Sequence, residues 1–508
     1  MKRQLLTLIL VLALVLCACS PSRTAQNQVE ESAPDTVLHE ASETPNAPDE
    51  TGEAATELHV WIIDYAYGEL GEFSGFPSLD ENYIEKALKS YAQENYIDLH
   101  IHDAFHQDSV VGSADLIVLG PGADLQYYLS DENYVDLTPY FEQDQIYSNG
   151  QYVEPVLRAG IQNEQQLAFP LIFNMYALYT SEESLARHRL DLSSDASFAE
   201  IVSTLTSELN NLSRPTDEVL LMGFEDLPML SSVFQFFLFA GGVSLLDPET
   251  ETVTLDSEYF EKILSLYEAY IYNNWDCDRS SLSQLSDNLS FDYLSSDQSK
   301  WYYYSAASNH INDSSLSAIT DQVACFLDID PAYSDYTYSS FIAQAAYYES
   351  RYRDLDETFM CIGIPEQQGA SYAAQVSLCG LIPAASEHPD ESYQLLKYLA
   401  DTPVPWYLGA SINRENISDT MQFLTETTIE LPIYGSEPYF MQPMSQETAA
   451  YLTQMIEQVH TVYLPQNQLR CNIDERLLSY LQTPTMTFDE LYKKMEQGIS
   501  LYLFWSKE

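Results

Sequence analysis

The chain has 508 residues, 45% hydrophobic and 13% aromatic, and its 77 Asp and Glu against 21 Lys and Arg give a formal net charge of −56. A field of that sign repels phosphate backbones and anionic headgroups, which excludes nucleic acid as a partner. The apolar content is that of a folded protein, and the length exceeds what one hydrophobic core supports, so two lobes are expected.

Lys2 and Arg3 precede an apolar run, Leu5 to Leu16, that is too short for a permanent bilayer span and reads as an export leader. It closes with Leu16-Cys17-Ala18-Cys19, which resembles the lipobox of bacterial lipoproteins. That resemblance implies a lipoprotein signal peptide over 1–18, cleavage after Ala18 and acylation of Cys19 with palmitate-type chains. Two acyl chains hold a protein at a membrane where one does not. An ordinary leader cut at an A-x-A-like site is the alternative. Residues 19–56 then form an acidic tether with Pro21, Pro34, Pro45 and Pro48 and no aromatic residue. It cannot bury enough surface to offset its ordering entropy, and as a coil it reaches roughly 30 Å.

From residue 57 the pattern changes. ELHVWIIDYAYG (57–68) is apolar and β-branched around Val60 to Ile63 and then turns polar and aromatic, as a buried strand does where it ends in a binding loop. ENYIEKALKSYAQENY (81–96) has Ile84, Leu88 and Tyr91 at helical spacing, and IDLHIHDAF (97–105) and ADLIVLG (114–120) read as strands. GPGADLQYYL then opens another helix. Strand, helix, strand in this order implies a parallel sheet, with ligands beyond the carboxyl ends of its strands.

Several later stretches, in this order, resemble the extracellular solute-binding proteins of bacterial ABC importers, family 1, the carbohydrate type. They are YVDLTPYFEQD (134–144), AFPLIFNMYALYTSEES (168–184), FLFAGGVSLLDPETETVTLDSEYFEKILSLYEAY (237–270), DQVACFLDIDPAY (321–333), GLIPAASEHPDESYQLLKYLAD (380–401) and LGASINRENI (408–417). The resemblance implies an α/β, two-lobed, periplasmic-binding-protein-like type II clamshell with a hinge. Its chain crossings would fall near Phe173 to Tyr176, near 314–320 and near Ala384 to Ser386. One lobe would take 57–173 and 318–384, the other 174–317 and 385–508. It also implies a monomer on the outer side of the cell membrane that captures a small solute, most simply a sugar, and delivers it to permease subunits, with no cofactor or metal.

A sugar presents an apolar ring face and a rim of hydroxyls, so its site needs aromatic planes beside carboxylates or amides. Asp64, Tyr65 and Tyr67 end the first strand, and Asp124 lies where the loop after the third strand becomes a helix. Phe173, Asn174 and Tyr176 lie on the first crossing, and Asp330 and Tyr333 follow the strand VACFLDI, where the resemblance places a stacking aromatic. Trp406, after Pro403 and Pro405, completes the set. Surface or packing roles stand beside each of these, and Trp61, Trp275 and Trp301-Tyr302-Tyr303-Tyr304 read as packing residues.

His100 and His102 project from one face of the second strand near Asp98 and Asp103, a set that could meet a divalent ion but reads first as a polar sheet face. After Cys19, Cys277, Cys325, Cys361, Cys379 and Cys471 form no CxxC pair and read mainly as small buried residues. HExxH, GxSxG and GxxxxGK[ST] are absent from the sequence, so no catalytic residue is assigned. The alternative to capture is a surface-anchored glycan hydrolase, or a sensor or adhesion lipoprotein, on similar lobes.

Overall fold

The computed structural model describes residues 56–63, 83–104, 113–120, 123–125, 128, 133–212, 219–222, 232–247, 252–275, 323–327, 340–431 and 439–505. The leader, Cys19, the tether and Cys277 lie outside them.

The first elements follow the expected series. β1 (Glu57–Ile63), α1 (Tyr83–Asn95), β2 (Asp98–Ala104) and β3 (Leu116–Leu119) form one α/β body. β1 runs parallel to both neighbours, with Val60 beside Ile101 and Leu116. All four residues of β3 are buried, the continuous apolar run that a strand covered on both faces requires. α1 buries Ile84, Ala87 and Leu88, its one apolar stripe. α2 (Thr138–Gln143) and α3 (Glu154–Arg158) each carry proline in the first turn, where a missing N–H costs nothing. A short hairpin, β4 (Ile161–Gln162) with β5 (Gln165–Gln166), leads into β6 (Phe169–Met175), buried throughout.

The chain then enters a second sheet at β7 (Ala177–Ser181). α4 (Glu182–His188), α5 (Phe198–Asn211), β8 (Val219–Met222), α6 (Ser232–Ala240), β9 (Leu246–Asp247), β10 (Thr252–Val253), α7 (Ser257–Trp275) and β11 (Val323–Leu327) follow. α5 begins with a capping box, Ser197 and Glu200 each accepting the other's backbone N–H. The core of this part is aromatic: Phe234 of α6 meets Phe260 and Tyr267 of α7 edge-on, with ring centroids 5.4 and 5.8 Å away.

The remaining elements are α8 (Phe341–Asp354), β12 (Phe359–Gly363), β13 (Tyr372–Leu381), α9 (Pro389–Asp401), β14 (Ala410–Ser411), α10 (Arg414–Glu426), β15 (Ile429–Leu431), β16 (Tyr439–Met441), α11 (Gln446–Glu457), β17 (Val459–Tyr463), α12 (Asn467–Gln482) and α13 (Phe488–Trp505). The first sheet has the order β14-β6-β13-β3-β1-β2 with β17 added to β13, and the second β12-β7-β11-β8. α9 packs so closely on β13 that a Cβ at Gly380 would collide with Leu396. α12 and α13 pack in the second core, where Leu469, Ile473, Leu477 and Leu491 are buried with Phe234 and Tyr267.

These pairings redraw the lobe boundaries expected from sequence. Residues 323–327 and 359–363 pair with β7 in the second sheet, not the first. Residues 410–411 and 459–463 pair with β6 and β13 in the first, not the second. The chain passes between sheets after Met175, between β12 and β13, and between β17 and α12. Ala384 to Ser386 is no crossing: Ala384 N–H donates to Asn133 O and Ser386 Oγ to Asp115 Oδ1, both within the first body. Strand partners at such sequence separations are chosen by tertiary packing, which local patterns do not encode. Trp61 is half-buried, stacked on His102 at 4.7 Å on the sheet's polar face. Cys325, Cys361 and Cys379 are buried thiols and Cys471 an exposed one. Among the described residues, no helix is long and apolar enough to cross a membrane.

Candidate ligand-binding site

Three segments meet where the sheets join: the end of β6 with the start of β7, the first half of β13, and the end of β17 with the start of α12. The strand pairing brings them together, Val376 lying beside Phe173 and Gln375 beside Tyr463.

Asn174 is fully buried here. Its Nδ2 lies 3.4 Å from both Ser377 Oγ and Leu408 O, and its Oδ1 has no hydrogen-bond partner among the described residues. Burying an amide oxygen unmatched is costly, so an acceptor held ready is a feature to explain. Gly409 makes the close approach to this strand possible. Its φ is +143°, and a Cβ there would sit 2.9 Å from Phe173 O and 3.1 Å from Asn174 Nδ2.

Tyr176 donates to Gln375 Oε1 at 3.2 Å and places its ring edge-on to Phe236, with centroids 5.3 Å apart. Gln375 Oε1 also accepts from Arg470 Nη2. Arg470 is 2% exposed, donates to Gln235 Oε1 at 3.2 Å and lies over the Phe239 ring, 4.1 Å from its centroid. Gln235 returns a bond to Arg470 O at 3.2 Å and donates to Asp474. A guanidinium satisfied by amides and an aromatic face is a stable way to bury a cation. Tyr463 closes this cluster, donating to Val243 O at 3.1 Å; burial, then Tyr259 and Tyr176, push its hydroxyl far above the ordinary tyrosine range, against Arg470.

Asp124 is drawn to the same junction. It bridges Gln466 through the backbone, and its Oδ1 accepts from Tyr502 at 2.8 Å. Glu366, 6% exposed, accepts from Thr461 N at 2.8 Å and Ser371 Oγ at 3.0 Å, and faces His460 Nδ1 at 3.2 Å. Thr461 Oγ1 approaches the same His460 nitrogen, at 3.5 Å. Hydroxyl and carboxylate on one nitrogen do not make the relay that a nucleophile needs, in which the base uses both. Beside the cluster a groove of about 270 Å³ opens between the β4–β5 hairpin, the α6–β9 connection and β17. Ile161, Phe239 and Leu246 give it apolar walls and Asn163 and Gln466 amides, a lining suited to polar, uncharged groups.

Of the residues expected from sequence, Phe173, Asn174, Tyr176 and Asp124 come together at this junction, buried rather than open to solvent. Trp406 is half-buried against the first core, its ring edge-on to Tyr407 at 5.7 Å. Asp64, Tyr65, Tyr67, Asp330 and Tyr333, with Trp301 to Tyr304, lie outside the described residues. Gln235, Glu366, Gln375 and Arg470 had no signal in the sequence beyond the rarity of basic residues.

No family model and no curated relative matches the chain. Solved structures do. A sugar transporter from Rhizobium etli, in an open conformation, is 12% identical with a TM-score of 0.50, over 88% of this chain and 99% of that one. An extracellular solute-binding protein family 1 from Alicyclobacillus acidocaldarius is 11% identical at 0.50, over 89% and 99%. The sugar-binding protein MalE from Xanthomonas citri is 13% identical at 0.50, over 89% and 98%. The fold is thus that of the type II periplasmic binding proteins.

Proposed function

We propose that the chain is the solute-capturing component of an ABC importer. Cys19 tethers it to the outer face of the cell membrane, and as a monomer it encloses a small solute between its two α/β bodies and passes it to permease subunits. The observation that carries this reading is the repeated passage of the chain between two sheets, in a fold whose solved neighbours are described as sugar-binding and solute-binding proteins. The amide- and tyrosine-rich junction supports a neutral polar solute, a sugar or oligosaccharide, over an anion. Asp64, Tyr65, Tyr67, Asp124, Phe173, Asn174, Tyr176, Asp330, Tyr333 and Trp406 supply its stacking planes and hydrogen bonds, and the role is binding rather than turnover. Ligand closes the bodies only as far as it prefers the closed state.

The test uses Ala55–Glu508, the unit holding every described residue. Thermal unfolding is recorded against oligosaccharides, peptides and amino acids. A ligand at a hundred times its dissociation constant stabilises by about 2.7 kcal/mol and raises the midpoint. A shift with one sugar class and no product on chromatography supports capture. A flat response to every solute sinks it, and turnover of a glycan establishes a hydrolase instead.

A further inference from the structure

One face of the first sheet's outer edge carries three imidazoles, an indole and two carboxylates. The parallel register sets His59 beside His100 and Trp61 beside His102, and alternation turns all four to the same side. Ring centroids are 4.9 Å apart for His59 and His100, 5.5 Å for His59 and His102, and 4.7 Å for Trp61 and His102. The sequence shows His100 and His102 only as a polar strand face; β1 adds His59 and Glu57.

The nitrogens are not arranged as independent surface groups. His59 Nδ1 lies 3.2 Å from His102 Nε2, so one donates to the other. With His59 as donor, its Nε2 lone pair faces Glu57 Oε1 at 3.3 Å. His100 Nε2 faces the same oxygen, also at 3.3 Å, without making a hydrogen bond, and stands 3.6 Å from Asp98 Oδ1. Two imidazole nitrogens thus converge on one carboxylate oxygen, and each contact is made favourable by an N–H on that nitrogen or by a cation among the three atoms. A proton serves one such contact, whereas a metal ion serves all of them. Separations near 3.3 Å are also those of donors about 2.0–2.1 Å from a single tetrahedral ion.

From this geometry we propose that His59, His100 and Glu57 bind a divalent transition-metal ion of the zinc class, with Asp98 completing the shell. Imidazole with carboxylate favours such an ion over calcium or magnesium. His102 is a positioning residue: its Nε2 accepts the hydrogen bond from His59 Nδ1–H, which leaves His59 Nε2 to face the ion, and its stacking on Trp61 holds it there. Among the described residues, no three such groups already surround one point. Binding therefore draws Glu57, whose side chain is 59% exposed, in toward the stacked His59 and His100 rings.

The full chain, purified in detergent without a polyhistidine tag and stripped with a chelator, is titrated with Zn²⁺ by calorimetry. One ion per chain is expected, lost in the Glu57→Gln/His100→Ala double variant and weakened about ten- to a hundred-fold by His102→Ala. His388→Ala, outside the cluster, binds as the parent does. In the unaltered protein Zn²⁺ shields His59 and His100 from imidazole acylation, read by peptide mass spectrometry, which removes any dependence on how the variants fold. Absence of saturable binding, binding retained by the double variant, or shielding confined to other histidines overturns the proposal.

Discussion

Polar side chains meet at similar distances in two regions of the molecule, the junction of the sheets and the outer edge of the first body, but their burial is opposite. At the junction Arg470, Asp124 and Glu366 are 2%, 3% and 6% exposed. On α1 the pair is open to water: Lys89 and Glu85 meet at 2.7 Å with side chains 65% and 28% exposed. Water competes for the second kind and not for the first, so equal geometry yields unequal stability. The two apolar cores hold the fold, and the few polar groups buried among them are the ones whose loss it feels.

Alkali should expose this difference most. Burial pushes the Cys325 and Cys379 thiols from their ordinary 9 up to about 12. Between those values the folded chain keeps protons that the unfolded chain has lost. Their contribution is therefore intact below pH 9 and is lost as pH rises toward 12. Urea midpoints measured from pH 8 to 11 should fall steadily above 9, and a flat profile would mean the thiols are accessible.

Arg470→Ala comes next. It removes charge-assisted bonds to Gln235 and Gln375 and the contact with Phe239, and should cost about 3 kcal/mol or more in urea unfolding. Tyr502→Phe keeps the packing but strips a hydroxyl from buried Asp124, for about 1–3 kcal/mol by the same measurement. A loss no larger than that of an exposed pair would place Asp124 in contact with water. Lys89→Ala should change stability by about 0.5 kcal/mol or less, and less still at high salt. A larger loss there would end the contrast between the two regions.

Where periodicity is local, the sequence determined the outcome by itself. The apolar run in 57–68, the helical spacing in 81–96 and the strands at 97–105 and 114–120 became β1, α1, β2 and β3, because each pattern reports the face that its own element must bury. The resemblance carried by the later motifs likewise implied the type II periplasmic-binding-protein fold, which the structural neighbours share. Tertiary structure alone decided which sheet each strand joins. β11 and β12 went to the second sheet and β14 and β17 to the first, through partners as far apart as β7 and β11. It also decided which polar residues meet. Asn174 and Tyr176 were visible on a crossing, but Gln375, Arg470, Glu366 and the His59–Glu57 half of the imidazole cluster were not. A side chain's partners depend on contacts between segments distant along the chain, and a local pattern carries no record of what will fold against it.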